Sequence, residues 1–172
     1  NLKNVKSDKL LHGEYFDTWH DTFVINGASL FSNVFMLKSM ECMSNINKAL
    51  SKPYVLNTIN YNNHKKSFTS KFWNGKFLKI YPHMDYLETA GNALAILFDI
   101  VDREKASSIL IHMEKNNKKQ MLPVVLPELP SKYIYKPLYL IGLQDYHNRH
   151  FWPWVNGLMK AACNHVNILS GT

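Results

Sequence analysis

The chain has 172 residues, which is enough for one domain with a sizeable core. Its 46% hydrophobic and 19% charged residues exclude an intrinsically disordered chain, and it has no apolar run of about 18 residues that would span a membrane. The net charge of +7 comes from lysines that occur singly or in pairs, unlike the basic blocks of nucleic-acid-binding proteins. We therefore expect a soluble protein with no membrane and no nucleic-acid partner.

The first strong pattern predicts a helix over residues 28–50, which Pro53 ends. Its apolar residues recur at three- and four-residue intervals. They are Leu30, Val34, Leu37, Met40, Met43, Ile46 and Leu50. A weaker helix is predicted over residues 61–73, followed by Asn74 and Gly75, which can take positive φ and turn the chain.

The middle of the chain predicts one irregular stretch and two further helices. Residues 76–89 are expected to be extended or irregular, and Gly91 is expected to begin an almost wholly apolar helix over residues 92–101. Such a helix is too apolar for a surface position. Asp102 is a good N-cap for a fourth helix over residues 103–116.

The last third of the chain predicts a long loop and one more helix. Four prolines keep residues 121–139 out of helices and central strands, and long loops of this kind are often functional. The last helix is predicted to begin near Pro153, which suits a first helical turn. With about five helices and no convincing strand alternation, the sequence predicts an all-α fold of antiparallel helix hairpins.

The two cysteines, Cys42 and Cys163, both lie in helical patterns among apolar neighbours. This placement is typical of small core residues. We therefore expect no disulfide, a reducing compartment and a cytoplasmic location.

The first segment with possible chemistry is "GEYFDTWHDTFVINGAS", residues 13–29. Glu14, Asp17 and Asp21 lie there within a few residues of three aromatic side chains, Tyr15, Phe16 and Trp19. Carbohydrate hydrolysis needs an acid, a second carboxylate and flat rings against which sugar C–H faces pack. The alternative, which spacing alone favours, is that the aspartates cap a turn and that Trp19 is a core residue.

The second segment is "DYHNRHFWPWVNGLMKAA", residues 145–162. Asp145, His147 and Arg149 are candidates to bind sugar hydroxyls or a carboxylate, and two tryptophans are candidates to line a pocket. The alternative for Trp152 and Trp154 is core packing at a helix start. An i, i+3 pair made of His147 and His150, without further ligands nearby, does not predict a metal site.

Three pieces, in this order, resemble the catalytic part of the six-hairpin (α/α)6 glycosidases, in particular the amylo-α-1,6-glucosidase part of glycogen debranching enzymes. "DTWHD" (residues 17–21) and the helix after it resemble a Thr-Trp-Met-Asp segment followed by an Asn-containing helix. "FWNGKFL" (72–78) and "DYLETAGNALAILFDIV" (85–101) resemble a hairpin that begins with Trp-Asn and later reads Gly-Asn-Ala-Leu-Ala. "DYHNRHFWPW" (145–154) resembles a Tyr-His-Asn-Gly…Trp-Pro-Trp segment, which plant neutral invertases share. The resemblance spans residues 13–167.

The resemblance implies a partial (α/α)6 toroid that acts on an α-glucan or oligosaccharide. The implied reaction is hydrolysis of a terminal α-glucosidic bond, α-1,6 in particular, with inversion and without a metal or organic cofactor. It implies that Asp21 is the general acid and that Asp17 holds sugar hydroxyls. The residues implied to line the glucosyl subsite are Trp19, His20, Tyr146, His147, Trp152 and Trp154.

The resemblance leaves the catalytic base unknown. Inverting enzymes need a second carboxylate roughly 6.5–9.5 Å from the acid. Debranching enzymes carry a glutamate just before the Trp-Pro, whereas this chain has Arg149, His150 and Phe151 there, and Arg149 stands where relatives carry glycine. Glu88 is a weak candidate whose place before Gly91 favours a helix cap. The alternative function is a non-catalytic carbohydrate-binding or structural domain of the same fold.

A complete toroid needs about twice as many helices as the sequence predicts. Half a toroid would expose apolar faces that its missing neighbours should cover. The chain also begins without an initiator methionine. We therefore expect residues 1–172 to form one domain, the C-terminal part of a larger catalytic domain, completed by further hairpins of the same polypeptide or by self-association.

Overall fold

The computed structural model describes residues 5–16, 18–51, 58–116 and 121–170. They form a mostly helical protein with one small sheet. The α-helices are α1 (Leu30–Ala49), α2 (Thr58–Phe72), α3 (Thr89–Leu97), α4 (Arg103–Asn116) and α5 (Pro153–Ser170). The strands are β1 (Lys79–Tyr81), β2 (Met84–Glu88) and β3 (Val125–Leu126), and 3₁₀ helices cover Ser131–Tyr133 and Lys136–Ile141. Among the described helices, none is long and apolar enough to cross a membrane.

Helix α1 is buried along its N-terminal half only. Ser29 caps it by accepting a backbone hydrogen bond at 3.2 Å. The predicted apolar stripe is buried as far as Met40 but exposed beyond it. The exposed members are Met43, Ile46 and Leu50. Because a helix of 20 residues is about 30 Å long, its second half extends past the core, and the prediction that Cys42 is a core residue is wrong. Cys163 on α5 is half-buried.

Two strands of a three-stranded antiparallel sheet lie in the stretch that was expected to be extended or irregular, and the third comes from the proline-rich segment. The protein is therefore mostly helical, but the prediction of a purely all-α fold is wrong. β1 and β2 form a hairpin, and β3 pairs with β2 at the end of the hairpin. The strands are short, and consecutive residues such as Ile80 and Tyr81 are both buried. Without alternation of apolar and polar residues, no strand pattern marks them. The described helices also form no complete ring of hairpins.

Helix α3 lies at the centre of the main core. Its residues from Thr89 to Ile96 are all buried, which confirms the prediction that this apolar helix does not lie at the surface. It contacts α1, α4 and, most extensively, α5. The helix begins at Thr89 rather than near Gly91, because Glu88 caps it by accepting the Gly91 N–H at 2.7 Å. Asp102 caps α4, as predicted.

The proline-rich segment 121–139 contains β3 and most of the 3₁₀ structure but no α-helix, as predicted. Its apolar residues pack on the sheet and on the residues around Phe23 in a second hydrophobic cluster. The buried members are Phe23, Ile25, Ile80, Tyr81, Met84, Val124, Val125, Leu129 and Ile134. Trp19 and Trp152 pack against this cluster. It therefore supports both of the aromatic segments identified in the sequence.

Four asparagine side chains fix loops to this framework with the same pair of hydrogen bonds. In each case Oδ1 accepts the backbone N–H of a leucine, and Nδ2 donates to the carbonyl of that leucine, at 2.7–3.0 Å. The pairs are Asn33 with Leu11, Asn92 with Leu78, Asn148 with Leu129, and Asn156 with Leu122. These bonds satisfy buried backbone groups that no strand or helix partner reaches.

Candidate functional site

The two aromatic segments meet in space. The Trp19 ring centroid lies 4.6 Å from that of Trp154, 6.3 Å from Trp152 and 5.0 Å from His147, each time edge to face. Trp152 stacks on His147 at 5.6 Å and contacts Tyr146 at 4.9 Å. We call Trp19, His20, Tyr146, His147, Trp152 and Trp154 the aromatic cluster. It brings together all six residues that were predicted to line the glucosyl subsite.

Backbone pairing holds the two segments in place. Val24 N–H donates to Tyr133 O at 2.9 Å, and Tyr135 N–H donates to Thr22 O at 2.9 Å. The segment after Trp19 is thereby paired with the end of the proline-rich loop. Asn148 ties the other aromatic segment to the same loop through Leu129. The loop therefore aligns two segments that lie far apart in the sequence.

Asp21 lies at the solvent edge of the aromatic cluster. Its side chain is 71% exposed, and its Oδ1 lies 3.2 Å from Nδ1 of the buried His147 ring. The same nitrogen forms a hydrogen bond with Thr22 Oγ1 at 3.2 Å. Tyr146 and Trp154, two other members of the cluster, are partly exposed. The Asp21 carboxylate thus contacts one buried ring of the cluster while it stays open to solvent. Asp17, predicted to hold sugar hydroxyls, lies outside the described residues.

His20 and Glu88 form a buried pair behind this surface. Their side chains are 2% and 0% exposed, and His20 Nε2 lies 3.5 Å from Glu88 Oε1. That distance is too long for a good hydrogen bond, and neither atom has another partner among the described residues. The predicted helix cap by Glu88 is confirmed. Complete burial does not favour Glu88 as a base that activates water in an open cleft.

Arg149 occupies the surface of the loop before α5. It pairs with Glu128 through Nε, and its Nη1 lies 3.9 Å from Asp145 Oδ2. Surface ion pairs contribute little to stability. Arg149 therefore pairs with one carboxylate of the proline-rich segment and lies near one of its own loop.

Two positioning residues of the site were missed in the sequence. Thr22 bonds the His147 ring, and Asn148 clamps the proline-rich loop. No local pattern marks Thr22, because its partner lies 125 residues away. Asn148 has a weak signal, since a polar amide within a run of large aromatic residues is often a structural hydrogen-bonding group.

Burial lowers the pKa of His147 from its ordinary value of 6.5 to about 4, and the nearby His20 acts in the same direction while Asp21 opposes the change. Between pH 6.5 and pH 4 the unfolded chain binds a proton at this ring that the folded chain does not bind. Acidification through this range therefore favours unfolding. The contribution of the neutral His147 ring to the free energy of unfolding is therefore fully present above about pH 6.5 and is lost by about pH 4.

Replacing His147 with glutamine should accordingly reduce the acid sensitivity of the fold. We expect the loss in the free energy of unfolding between pH 7 and pH 4 to be about 3 kcal/mol smaller in His147→Gln than in the wild type. Urea denaturation at a series of pH values measures this difference. His150→Gln, at an exposed position of the same loop, is the matched control and should keep the wild-type profile. Equal acid losses in all three proteins would contradict this role of His147.

No family model matches this chain, and no curated protein matches it. Among the described residues, no group of three or more histidine, cysteine, aspartate or glutamate side chains is placed to hold a metal ion. Among the described residues, the candidate site consists of one solvent-facing carboxylate and a set of rings. Such a surface suits a ligand with apolar faces and polar edges, since the rings pack on the faces and the carboxylate exchanges protons or hydrogen bonds with the edges.

Proposed function

We propose that this chain is a glycoside hydrolase-like domain related to the six-hairpin glycosidases of glycogen debranching. The proposed substrate is an α-glucan or oligosaccharide with a terminal α-glucosidic bond, α-1,6 in particular. In the reaction, Asp21 gives its proton to the glycosidic oxygen as the C1–O bond breaks, and water attacks C1 from the opposite face with inversion. A second carboxylate takes the proton from that water. This route needs no metal or organic cofactor, and we propose a cytoplasmic location.

The observation that carries this proposal is the position of Asp21 against the aromatic cluster. Trp19 and Asp21 come from one end of the chain, and Tyr146, Trp152 and Trp154 come from the other. An acid beside convergent rings is the minimum that binding and protonating a glucoside requires. The contact with His147 restricts the Asp21 side chain, which favours a productive orientation of its carboxyl group.

A non-catalytic carbohydrate-binding domain is the second candidate, and a specific observation favours it. Among the described residues, Glu88 is buried and Glu128 and Asp145 are engaged by Arg149. Among these three carboxylates of the described residues, none combines an open position with freedom from a charged partner, as Asp21 would require of a second catalytic group. This candidate predicts binding of the same sugars without release of glucose.

The domain exposes several apolar residues that another part of the polypeptide, or a second copy of it, is proposed to cover. Two groups of exposed apolar side chains lie at the end of α1 and from the second 3₁₀ helix onward. They include Met43, Ile46, Leu50, Leu140, Ile141 and Leu143. We propose that further hairpins of the same polypeptide, or a second copy of the chain, pack there, which size-exclusion chromatography of the full-length protein would test.

Trp154→Ala tests the sugar site without touching the acid. Trp154 is 42% exposed, so its removal costs little core packing but takes away one face of the site. We expect binding of an isomalto-oligosaccharide to weaken about tenfold, the equivalent of about 1.4 kcal/mol. Isothermal titration calorimetry measures the affinity.

Tyr139→Ala is the matched control for that experiment, because Tyr139 is an aromatic residue of similar exposure on the 3₁₀ helix Lys136–Ile141. It should bind as the wild type does. Equal affinities of the wild type and Trp154→Ala would remove the aromatic cluster from the proposed site.

A further inference from the structure

Tyr15, Phe16 and Tyr135 carry three aromatic rings that are not part of the aromatic cluster. Their side chains are 51%, 44% and 43% exposed. The rings nevertheless contact one another edge to face, with centroids 6.4 Å apart for Tyr15 and Phe16 and 5.4 Å apart for Phe16 and Tyr135. Exposed aromatic side chains that are contiguous in this way are typical of a binding surface. We call these three residues the outer platform.

The outer platform adjoins Asp21. Tyr135 N–H donates to Thr22 O at 2.9 Å, so one platform residue is paired with the direct neighbour of the proposed acid. Thr22 also contacts the aromatic cluster, because its Oγ1 lies 3.2 Å from His147 Nδ1. A single residue next to Asp21 therefore connects the outer platform with the aromatic cluster.

The backbone of Phe16 has a conformation that is rare for a bulky residue. Its φ is 65°, in the left-handed region. Burial of the ring in the core does not offset this cost, since the side chain is almost half exposed. The loop that carries both Phe16 and Asp21 is closed by two hydrogen bonds between Gly13 and Gly27, at 3.0 and 3.1 Å. Strained residues of this kind cluster at ligand sites, which favours a binding role for the Phe16 ring.

A sugar chain fits the outer platform better than a helix of a partner protein does. Flat rings pack on the C–H faces of sugars, and the tyrosine hydroxyls can form hydrogen bonds with sugar hydroxyls. The apolar side chains of a helix find aliphatic partners elsewhere, at the end of α1 and from the second 3₁₀ helix onward. A glucan whose terminal unit lies at the aromatic cluster has its remaining units beyond the bond at Asp21, and the outer platform adjoins that residue.

We propose that the outer platform binds the leaving-group side of the substrate, that is, the glucose units of an α-glucan that follow the bond cleaved at Asp21. This inference rests on the proposed function, in which the terminal glucosyl unit occupies the aromatic cluster. The platform rings add affinity only for ligands that are long enough to reach them. The outer platform therefore gives a preference for longer chains.

The affinities for a short and a long ligand test this division of the site. Methyl α-glucoside can fill the glucosyl subsite only, whereas isomaltopentaose also reaches the leaving-group side. We expect Tyr135→Ala to bind isomaltopentaose about tenfold more weakly than the wild type and to bind methyl α-glucoside equally well. NMR titration measures both affinities. Tyr139→Ala, which removes a ring of similar exposure from the following 3₁₀ helix, is the matched control and should bind both ligands as the wild type does.

Phe16→Gly separates the loss of the ring from a loss of folding. Glycine adopts a positive φ without strain, so the melting temperature should not fall. Isomaltopentaose should nevertheless bind about tenfold more weakly, because the central ring of the outer platform is gone.

Wild-type affinity for isomaltopentaose in Tyr135→Ala and Phe16→Gly would overturn the inference, and so would an equal loss of affinity for both ligands. If Trp154→Ala weakens binding of isomaltopentaose but the platform variants do not, this inference alone fails and the proposed function stands. If the wild type binds neither ligand, both fail. A protein interface at the outer platform would instead change the size of the native species on chromatography of the variants while sugar affinity stayed the same, which would also overturn the inference.

Discussion

Asp21→Asn is expected to lower the rate of glucose release from an α-1,6-linked glucoside by about 10²- to 10⁴-fold. The amide cannot donate the proton that the leaving oxygen requires, while its size and exposed position leave the neighbouring rings in place. Sugar affinity should therefore stay within about twofold of the wild type. Enzymatic detection of glucose measures the rate, and calorimetry measures the affinity.

Glu104→Gln is a suitable control for that experiment, because it neutralises an exposed carboxylate in the first turn of α4, away from the aromatic cluster. It should release glucose at the wild-type rate. If Asp21→Asn and Glu104→Gln had equal rates, Asp21 would not be the acid. If neither they nor the wild type released glucose but all bound the sugar, the non-catalytic alternative would hold.

Asn33→Asp should destabilise the fold far more than a substitution of an exposed polar residue on α1. Asn33 is completely buried on α1, where Oδ1 accepts Leu11 N–H and Nδ2 donates to the carbonyls of Leu11 and Ser29, each at 2.8 Å. Aspartate removes the donor from two buried carbonyls and adds a charge. We expect the free energy of unfolding to fall by about 3–5 kcal/mol, measured by urea denaturation.

Asn45→Asp makes the same chemical change at an exposed position of the same helix. It should alter the free energy of unfolding by less than about 0.5 kcal/mol. Faster amide hydrogen exchange at Leu11 in Asn33→Asp would locate the damage at the clamp. Equal stability of the two variants would show that the Asn33 hydrogen bonds do not hold the N-terminal segment.

The helices were predictable because each carries a period or an end signal. Asp102 marks the start of α4 and Pro153 that of α5, and the buried side of α3 follows from its composition. The helical period of the apolar residues does not indicate which part of a long helix packs against the core. Cys42 and Ile46 were therefore expected to be buried and are exposed. The sheet was not predictable because its strands are short and buried residues follow one another in them without a regular alternation.

The candidate site could be predicted only in two halves. The sequence identified the residues around Trp19 and those around Trp152 by composition, but their contact depends on pairing through the proline-rich loop, which is set by Asn148 and by the backbone of Thr22. The pairing of His20 with Glu88 depends on the hairpin that the sequence failed to show. Long-range pairings of this kind leave no local signal in a single sequence.

The configuration of the first glucose released tests the proposed mechanism most directly. Proton NMR of the full-length protein acting on an α-1,6-linked glucoside distinguishes the two anomers before they equilibrate. Because Asp21 is proposed to act as the acid in a single displacement by water, β-glucose should appear first, and Asp21→Asn should release none at a measurable rate. Initial release of α-glucose, or the same time course for the wild type and Asp21→Asn, would contradict the proposal.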